Sequence, residues 1–133
     1  MKLDKQLDDI HSQYIRLLFA DENGKVKCYT CTSTFHYKVI QCGHYIDRAN
    51  TQFRWDEDFT RPQCEDCNCF KSGSLKKFRS NLIAEHGFSK VENAEIQSLK
   101  PYKWSKWDKE QLLKKRKKQV KKLLEEKNIT YEP

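Results

Sequence analysis

The sequence predicts an α+β fold in which a small zinc-stabilised core is flanked by α-helices at both ends of the chain. The helices are predicted because apolar residues recur at helical spacing near the N-terminus and again near the C-terminus. The core is predicted because two C-x-x-C pairs enclose runs rich in β-branched and aromatic residues. A length of 133 residues fits one compact domain with helical extensions.

The first segment, residues 1–24, is expected to be an amphipathic helix followed by a turn. This helix covers about residues 3–20, and the turn signal from Asp21 to Gly24 ends it. Its stripe can pack against the C-terminal helix of the same chain or against a partner. The apolar residues of the stripe are Leu3, Leu7, Ile10, Tyr14 and Leu17.

The middle segment, residues 25–73, is expected to form the core. A β-rich run covers residues 37–46, and residues 47–51 are expected to be the loop that follows it. Residues 53–55 are rich in aromatic side chains and are expected to begin the returning strand. A short helical segment then ends at Gly73.

Two cysteine pairs in this segment predict a structural zinc site. Each C-x-x-C pair puts two thiolates on one tight turn, and two such turns complete a tetrahedral four-sulfur site. Two disulfides are the alternative. The zinc ligands are expected to be Cys28, Cys31, Cys64 and Cys67, whereas Cys42 and Cys69 are expected to be free thiols.

The rest of the chain is expected to be helical. Residues 74–99 are a helical extension, and residues 100–133 are a basic C-terminal arm. Ser105 or Asp108 can cap the final helix, which runs to about Lys127.

The basic charge is concentrated in that arm. The chain contains 26 Lys and Arg against 19 Asp and Glu, a net charge of +7. Residues 101–127 contain 11 basic and 4 acidic residues, so they carry +7 alone and the remainder is neutral. Such an excess favours a polyanionic partner, most often nucleic acid. We therefore expect a separable DNA-gripping arm beside a neutral core.

Membrane contact is not expected. No apolar run approaches the roughly 18 residues that cross a bilayer, and no signal-peptide core follows Met1. We expect a cytoplasmic protein, located in the bacterial host if the chain is phage-encoded.

A histidine and an asparagine near the cysteine pairs indicate a catalytic site. His44 lies in the β-rich run, and Asn68 directly follows Cys67. A histidine on a hairpin that faces an asparagine at the start of a helix is the arrangement of the HNH, or ββα-metal, nucleases. A neutral imidazole can take a proton from water, and a hard divalent ion can bridge the scissile phosphate. The alternative is a buried histidine beside the zinc site.

Longer motifs carry a resemblance to one family. They are Cys28-x-x-Cys31, Gly43-His44-Tyr45-Ile46-x-Arg48, Arg54-Trp55-Asp56-Glu57 and Pro62-Gln63-Cys64-x-x-Cys67-Asn68-x-x-Lys71-Ser72-Gly73. The chain resembles the NinG/Rap recombination endonucleases of lambda-like phages, which cut branched DNA such as Holliday junctions and D-loops. The resemblance implies a ββα-metal (HNH) core with His44 as general base. It also implies Asn68 as a ligand of a catalytic Mg²⁺ or Mn²⁺, and the four paired cysteines as zinc ligands.

Two positions depart from the usual HNH pattern. Most HNH enzymes have a metal-ligating aspartate before the base, where this chain has Gly43. Asp47 and Asp56 are candidates for the second protein ligand. The middle asparagine, which braces the hairpin loop, falls near Phe59. The candidates to replace it are Asn50 and Thr60.

Two groups of basic residues are predicted to contact DNA phosphates. Each neutralised phosphate adds salt-sensitive affinity without reading the sequence. The first group lies near the base and after the second cysteine pair: Arg48, Lys71, Lys76, Lys77 and Arg79. The second lies in the final helix: Lys114, Lys115, Arg116, Lys117 and Lys118. A solvated helix face is the alternative for the second group.

These features predict a structure-selective endonuclease that cleaves branched DNA in phage recombination by metal-assisted phosphodiester hydrolysis. One alternative is an HNH nicking or restriction-like nuclease that acts on linear duplex. The other is a zinc-stabilised DNA-binding module without chemistry. A junction cut symmetrically needs two active sites, so we expect a homodimer.

Overall fold

Short strands occupy the middle of the chain, and helices flank them. The structure is a computed structural model that describes residues 2–129; Met1 and residues 130–133, which belong to the predicted end segments, lie outside the described residues. The elements are α1 (Lys2–Leu18), β1 (Lys25–Lys27), β2 (Thr34–His36), β3 (Gln41–His44), β4 (Thr60–Gln63), a π-helical segment (Asp66–Phe70), α2 (Leu75–His86), α3 (Phe88–Gln97) and α4 (Lys106–Glu126). The predicted mixture of helices and small sheets is confirmed. Within this part of the chain, no helix is long and apolar enough to span a membrane.

Helix α1 forms where the apolar stripe predicts it. Leu7 and Leu17 are fully buried, and Tyr14 is 5% exposed. The C-terminal half of the stripe packs in one core cluster with Val120 of α4. The stripe is therefore covered by a helix of the same chain, which was one of the two partners expected.

Helix α4 is part of this core and is not a separable arm. Its first turn is capped as predicted, because the Ser105 hydroxyl accepts a hydrogen bond from the Asp108 amide at 3.0 Å. At its other end, the Lys127 ammonium donates to the carbonyls of Leu17 and Leu18 at 2.7 and 3.0 Å. The expectation of a separable arm is wrong, because the apolar side of α4 packs against the apolar stripe of α1.

The strands form two antiparallel pairs, β1 with β2 and β3 with β4. The predicted run at 37–46 is only partly a strand, since its first four residues turn back: the Ile40 amide bonds the His36 carbonyl at 3.1 Å. The predicted returning strand at 53–55 is wrong. Those residues lie in the loop, and β4 is the true partner of β3, with His44 opposite Thr60.

A second apolar cluster lies beneath that loop. Phe53 and Phe59 from the loop pack there against Phe78 and Leu82 of α2 and Val91 of α3. This burial explains why aromatic residues that favour a strand are found in a loop: they serve the core without pairing their backbone. The cluster holds the loop between β3 and β4 against α2 and α3.

Candidate functional site

The four paired cysteines come together in one cluster, as their spacing predicts. Their Sγ atoms all lie within 4.8 Å of one another, and the sulfurs of Cys31 and Cys64 are 3.7 Å apart. The first pair lies on a turn after β1, closed by the bond from the Thr32 amide to the Cys28 carbonyl at 2.9 Å. The second pair follows β4. None of the six cysteines, all of which the structure describes, forms a disulfide, and Cys42 and Cys69 lie outside the cluster.

Hydrogen bonds within the cluster suit these thiols to hold a cation. The amides of Cys64 and Cys67 donate to the sulfurs of Cys28 and Cys64 at 3.3 and 3.5 Å. Burial opposes ionisation of Cys28, but amide hydrogen bonds from Cys64, Cys31 and Thr30 outweigh it and lower its pKa to about 6. Burial and hydrogen bonds with neighbouring cysteines raise the pKa of Cys64 to about 12. Four thiolates this close repel one another unless a cation neutralises them, and this four-sulfur donor set fits structural zinc.

His44 ends strand β3 and is held in one tautomer. Its Nε2 lies 2.9 Å from the backbone carbonyl oxygen of Arg54. Because a carbonyl oxygen only accepts, Nε2 carries the proton and Nδ1 keeps its lone pair. Burial lowers the pKa of His44 below its ordinary value, which favours the neutral imidazole at pH 7. The side chain thus presents a single defined atom that can accept a proton.

Asn68 is positioned by both the cysteine turn and the hairpin. It lies in the π-helical segment, and its backbone amide donates to the Cys64 carbonyl at 2.9 Å. Its side-chain nitrogen donates to Gln41 Oε1 of β3 at 2.9 Å. That contact uses the nitrogen and turns the amide oxygen away from Gln41. Irregular helical turns of this kind recur at functional sites.

His44 and Asn68 line the same two cavities. The larger has a volume of about 620 Å³ and is lined mainly by α1 and by the chain from Lys38 to His44. The smaller has a volume of about 320 Å³ and includes Asp47 and Gly73 in its wall. The structure therefore brings together the base and the amide ligand that the sequence predicts.

The two candidate aspartates differ in position. Asp47 is exposed and lines the smaller cavity beside His44 and Asn68. Asp56 instead turns its Oδ1 to the backbone amide of Asp58 at 2.7 Å, and burial raises the pKa of its carboxyl. Mg²⁺ prefers hard oxygen ligands and keeps several waters, so a carboxylate and an amide oxygen are a fitting donor set. Asp47 makes a similar bond within its own loop, since its Oδ1 accepts from the Ala49 amide at 2.7 Å. The two aspartates differ in that Asp47 lines the smaller cavity, whereas Asp56 lines neither of the two.

The loop between β3 and β4 is braced without the middle asparagine. The Thr60 hydroxyl donates to the Asp56 carbonyl at 2.6 Å. The Asn50 side-chain nitrogen donates to the Ser98 carbonyl and so ties the loop to the end of α3. Phe59 itself is buried, at 4% exposure. Both candidates therefore stabilise the loop. Thr60 bonds to the loop residue Asp56, and Asn50 bonds the loop to the residue that follows α3.

Gly43 has a steric reason to be glycine. A Cβ atom at this position would lie 1.9 Å from Gln63 Oε1. Gln63 is fully buried, and its Nε2 donates to the Gly73 carbonyl at 2.8 Å and to Thr30 Oγ1 at 3.1 Å. The side chain of Gln63 therefore fills the space that any side chain at position 43, including an aspartate, would occupy.

The basic residues predicted near the base differ in their surroundings. Arg48 lines both cavities and is 58% exposed. Lys76 and Lys77 are exposed on α2. Three of the five form ion pairs with acidic side chains: Arg48 with Asp8 at 2.8 Å, Lys71 with Asp66 at 3.2 Å and Arg79 with Glu95 at 2.9 Å. Arg48 is thus the predicted DNA contact that lines the two cavities together with His44.

Arg116 does not belong with the phosphate contacts predicted for the final helix. It is 4% exposed, its Nε donates to His11 Nδ1 at 3.1 Å, and its Nη2 donates to the Trp55 carbonyl at 3.0 Å. The prediction is wrong for this residue because its position on α4 faces α1. The exposed members of the run are Lys114, Lys115, Lys117 and Lys118.

Sequence reasoning missed the contribution of α1 to the site. Asp8 and His11 line the larger cavity together with Arg54, and none of the three was a candidate. One signal was present in the sequence: His11 lies on the apolar stripe, four residues after Leu7 and three before Tyr14. A polar residue at such a position is buried with its hydrogen bonds satisfied.

The fold and the site define a small α+β protein with a cluster of four cysteines that could hold a metal ion, next to a cavity lined by a histidine and an asparagine. The chain belongs to the NinG family, since the family model described as the bacteriophage lambda NinG protein matches residues 1–127. It is 30% identical over 94 residues to a protein ninG of Salmonella phage P22. That match covers 70% of this chain but only 45% of the phage P22 protein. No solved structure matches the chain.

Proposed function

We propose that this protein is a divalent-metal-dependent endonuclease of the HNH, or ββα-metal, type that cleaves branched DNA. One observation carries the proposal. The Arg54 carbonyl fixes the tautomer of His44, so Nδ1 is the ring nitrogen that can accept a proton, and His44 lines the same two cavities as Asn68.

Each residue has a separate role in the proposed reaction. His44 takes a proton from water at Nδ1, and the Arg54 carbonyl stabilises the imidazolium that results. Asn68 and Asp47 would hold a Mg²⁺ or Mn²⁺ ion, which stabilises negative charge on the scissile phosphate and the leaving oxygen. Arg48 binds a neighbouring phosphate from the rim of the same cavities. The four thiols and their zinc take no part in the chemistry, because a four-coordinate structural site has no open position.

Branched DNA is the proposed substrate because the motifs resemble those of the NinG/Rap nucleases. The net charge of +7 supports a polyanionic substrate. Cleavage of a junction on both strands needs two active sites, so the active form is proposed to be a homodimer. Because the proposed reaction is part of phage recombination, its proposed location is the cytoplasm of the bacterial host.

The test is a cleavage assay on labelled Holliday junctions, D-loops, flaps and linear duplex of the same sequence, with Mg²⁺ or Mn²⁺. We expect the wild-type protein to cut the branched substrates and His44→Ala to lose at least about 100-fold in rate, because removal of a general base costs about 10²–10⁴. His36→Ala is the matched control, since His36 lies on β2 and lines neither cavity.

Each alternative outcome has a defined meaning. Equal cutting of junction and duplex contradicts branch selectivity and favours a nuclease of linear DNA. Unchanged cutting by His44→Ala removes His44 as the base. Salt-sensitive DNA binding without cutting by any form, in either metal, identifies a DNA-binding module instead.

A further inference from the structure

Asp8 of helix α1 is the most highly connected acidic side chain in the larger cavity. Its Oδ1 accepts hydrogen bonds from Arg54 Nε and Trp55 Nε1, both at 2.8 Å. Its Oδ2 accepts from Arg54 Nη2 at 2.6 Å and from Arg48 Nη2 at 2.8 Å. Two of these bonds form a bidentate pair with Arg54, which is the strongest ion-pair geometry available to a carboxylate.

These contacts join α1 to the segment that holds the proposed base. The side chains of Asp8 and Arg54 are 21% and 20% exposed, so solvent screens their attraction less than at an open surface. Trp55 is 2% exposed, and its carbonyl accepts from Arg116 of α4. The backbone at residues 54–55 is therefore fixed from α1 on one side and from α4 on the other.

The same backbone segment carries the carbonyl that binds His44. The distance from Arg54 O to His44 Nε2 is 2.9 Å, so a displacement of Arg54 changes the direction of the imidazole. Strand pairing fixes the backbone of His44 but not the rotation of its ring. Within residues 2–129, Asp8 is the acidic residue that binds both side chains of this segment.

We infer that Asp8 is a positioning residue for the general base: its carboxylate anchors Arg54 and Trp55, and the Arg54 carbonyl then holds His44 in the productive tautomer. The expected effect of Asp8 on the reaction rate rests on the proposed function, whereas its effect on the orientation of His44 does not. Asp8 is not placed as a metal ligand, because both of its oxygens already accept from cationic or indole N–H groups. Burial opposes its ionisation, but hydrogen bonds from Arg54 and Trp55 outweigh burial and lower its pKa.

The experiment compares Asp8→Asn with Asp9→Asn. Both variants remove one negative charge from α1 in the wall of the same cavity. Asp9, however, pairs with Lys5 at the surface at 2.9 Å and is 68% exposed. We expect Asp8→Asn to lower kcat on junction DNA by about 10- to 100-fold with little change in KM, the range typical of lost support behind a catalytic group. We expect Asp9→Asn to leave kcat unchanged and Asp8→Glu to recover part of the loss.

A spectroscopic measurement separates positioning from a purely structural role. The ¹⁵N shifts of the His44 ring report which nitrogen carries the proton. We expect a single Nε2–H tautomer in the wild-type protein and in Asp9→Asn, and a mixture of tautomers in folded Asp8→Asn.

Three results overturn the inference. They are a kcat for Asp8→Asn equal to that of Asp9→Asn, an unchanged His44 tautomer in the folded variant, and a loss of activity that only follows the unfolded fraction. If the wild-type protein does not cut DNA, the proposed function fails, but the tautomer measurement still decides whether Asp8 positions His44.

Discussion

The cysteine cluster and the His44 cavity lie side by side but are built by different kinds of contact. In the cluster, two cysteines lie on each tight turn, three residues apart. The turns are joined by the bond from the Cys64 amide to the Cys28 sulfur and by the contact between the sulfurs of Cys31 and Cys64. In the cavity, the proposed base His44 contacts the Arg54 carbonyl, and Arg54 is bound by Asp8, 46 residues earlier in the chain. The cysteine pairs are thus visible as local spacing in the sequence, whereas the contacts that orient His44 are tertiary.

Removal of zinc is expected to have the largest effect on stability of the changes that test this comparison. We expect Cys64→Ser, or an excess of chelator, to abolish cooperative unfolding of the middle of the chain, because structural zinc supplies about 10–16 kcal/mol in small domains. Circular dichroism and metal content measure the effect. Cys69→Ser is the matched control, since Cys69 is exposed and outside the cluster. A melting curve that is identical with and without metal would contradict a structural role for zinc.

Arg116→Met tests the support that α4 gives to the cavity. The variant leaves His11 Nδ1 and the Trp55 carbonyl without their buried donor. We expect a loss of about 3 kcal/mol in the free energy of unfolding, since each buried unsatisfied group costs about 1–3 kcal/mol. Urea denaturation measures it. Lys117→Met, at an exposed neighbouring position, should stay within about 0.5 kcal/mol of wild type. Equal effects at the two positions would mean that Arg116 gives no particular support.

Gly43→Ala tests the contact between β3 and Gln63. We expect a loss of about 2 kcal/mol, because overpacking of a close-packed interior costs about 1–3 kcal/mol. In a Gln63→Ala background the added methyl has room, so the cost of Gly43→Ala should fall to near zero. Denaturation of the two single variants and the double variant gives the coupling energy. Additive effects would show that Gln63 is not the reason for glycine before the base.

The smallest effect is expected at the exposed lysines of α4. Lys114→Gln/Lys118→Gln should weaken DNA binding modestly and reduce the slope of log K against log salt by about 0.9 for each lysine that contacts a phosphate. Fluorescence anisotropy from about 50 to 200 mM salt measures this slope. Lys25→Gln/Lys27→Gln, on exposed positions of β1, removes the same charge elsewhere. Equal slopes for the two double variants would identify the lysines of α4 as a solvated face.

The parts of the molecule that were predicted correctly are specified by residues that lie close together in the sequence. The apolar spacing predicts α1, the paired cysteines predict the metal cluster, and Ser105 predicts the start of α4. Each depends on residues within one or two turns of backbone. His44 and Asn68 were predicted from the motifs between and after the cysteine pairs, and the structure places both at the same two cavities.

The parts that were missed depend on burial that spacing does not reveal. Strand β4 has the sequence Thr60-Arg61-Pro62-Gln63, and all four residues are buried although three are polar and one is proline. Two of the three guanidinium nitrogens of Arg61 have partners: Nη1 donates to the Thr60 carbonyl at 2.8 Å, and Nη2 pairs with Glu85. Its Nε has no partner within residues 2–129. Propensity favours Phe53 to Trp55 as the strand instead. Only the tertiary contacts decide between the two segments.

The prediction of a separable C-terminal arm was wrong because it also ignored which residues of α4 are buried. A count of lysines does not separate the solvated side of α4 from the side that packs. Arg116 and Val120, four residues apart, lie on one side of the helix and are both buried. The same basic run thus contains a packing residue and exposed charges, and only the direction in which each side chain leaves the helix distinguishes them.

The ammonium of Lys127 joins the ends of the two longest helices. The last carbonyls of a helix have no partner within it, and here Lys127 binds those of Leu17 and Leu18, together with the carbonyl of Ala20. One side chain thus supplies the C-cap of a helix that lies more than 100 residues away. Fraying of the last turn of α4 must uncap α1 at the same moment. Amide hydrogens in both terminal turns should therefore exchange with solvent through one shared opening.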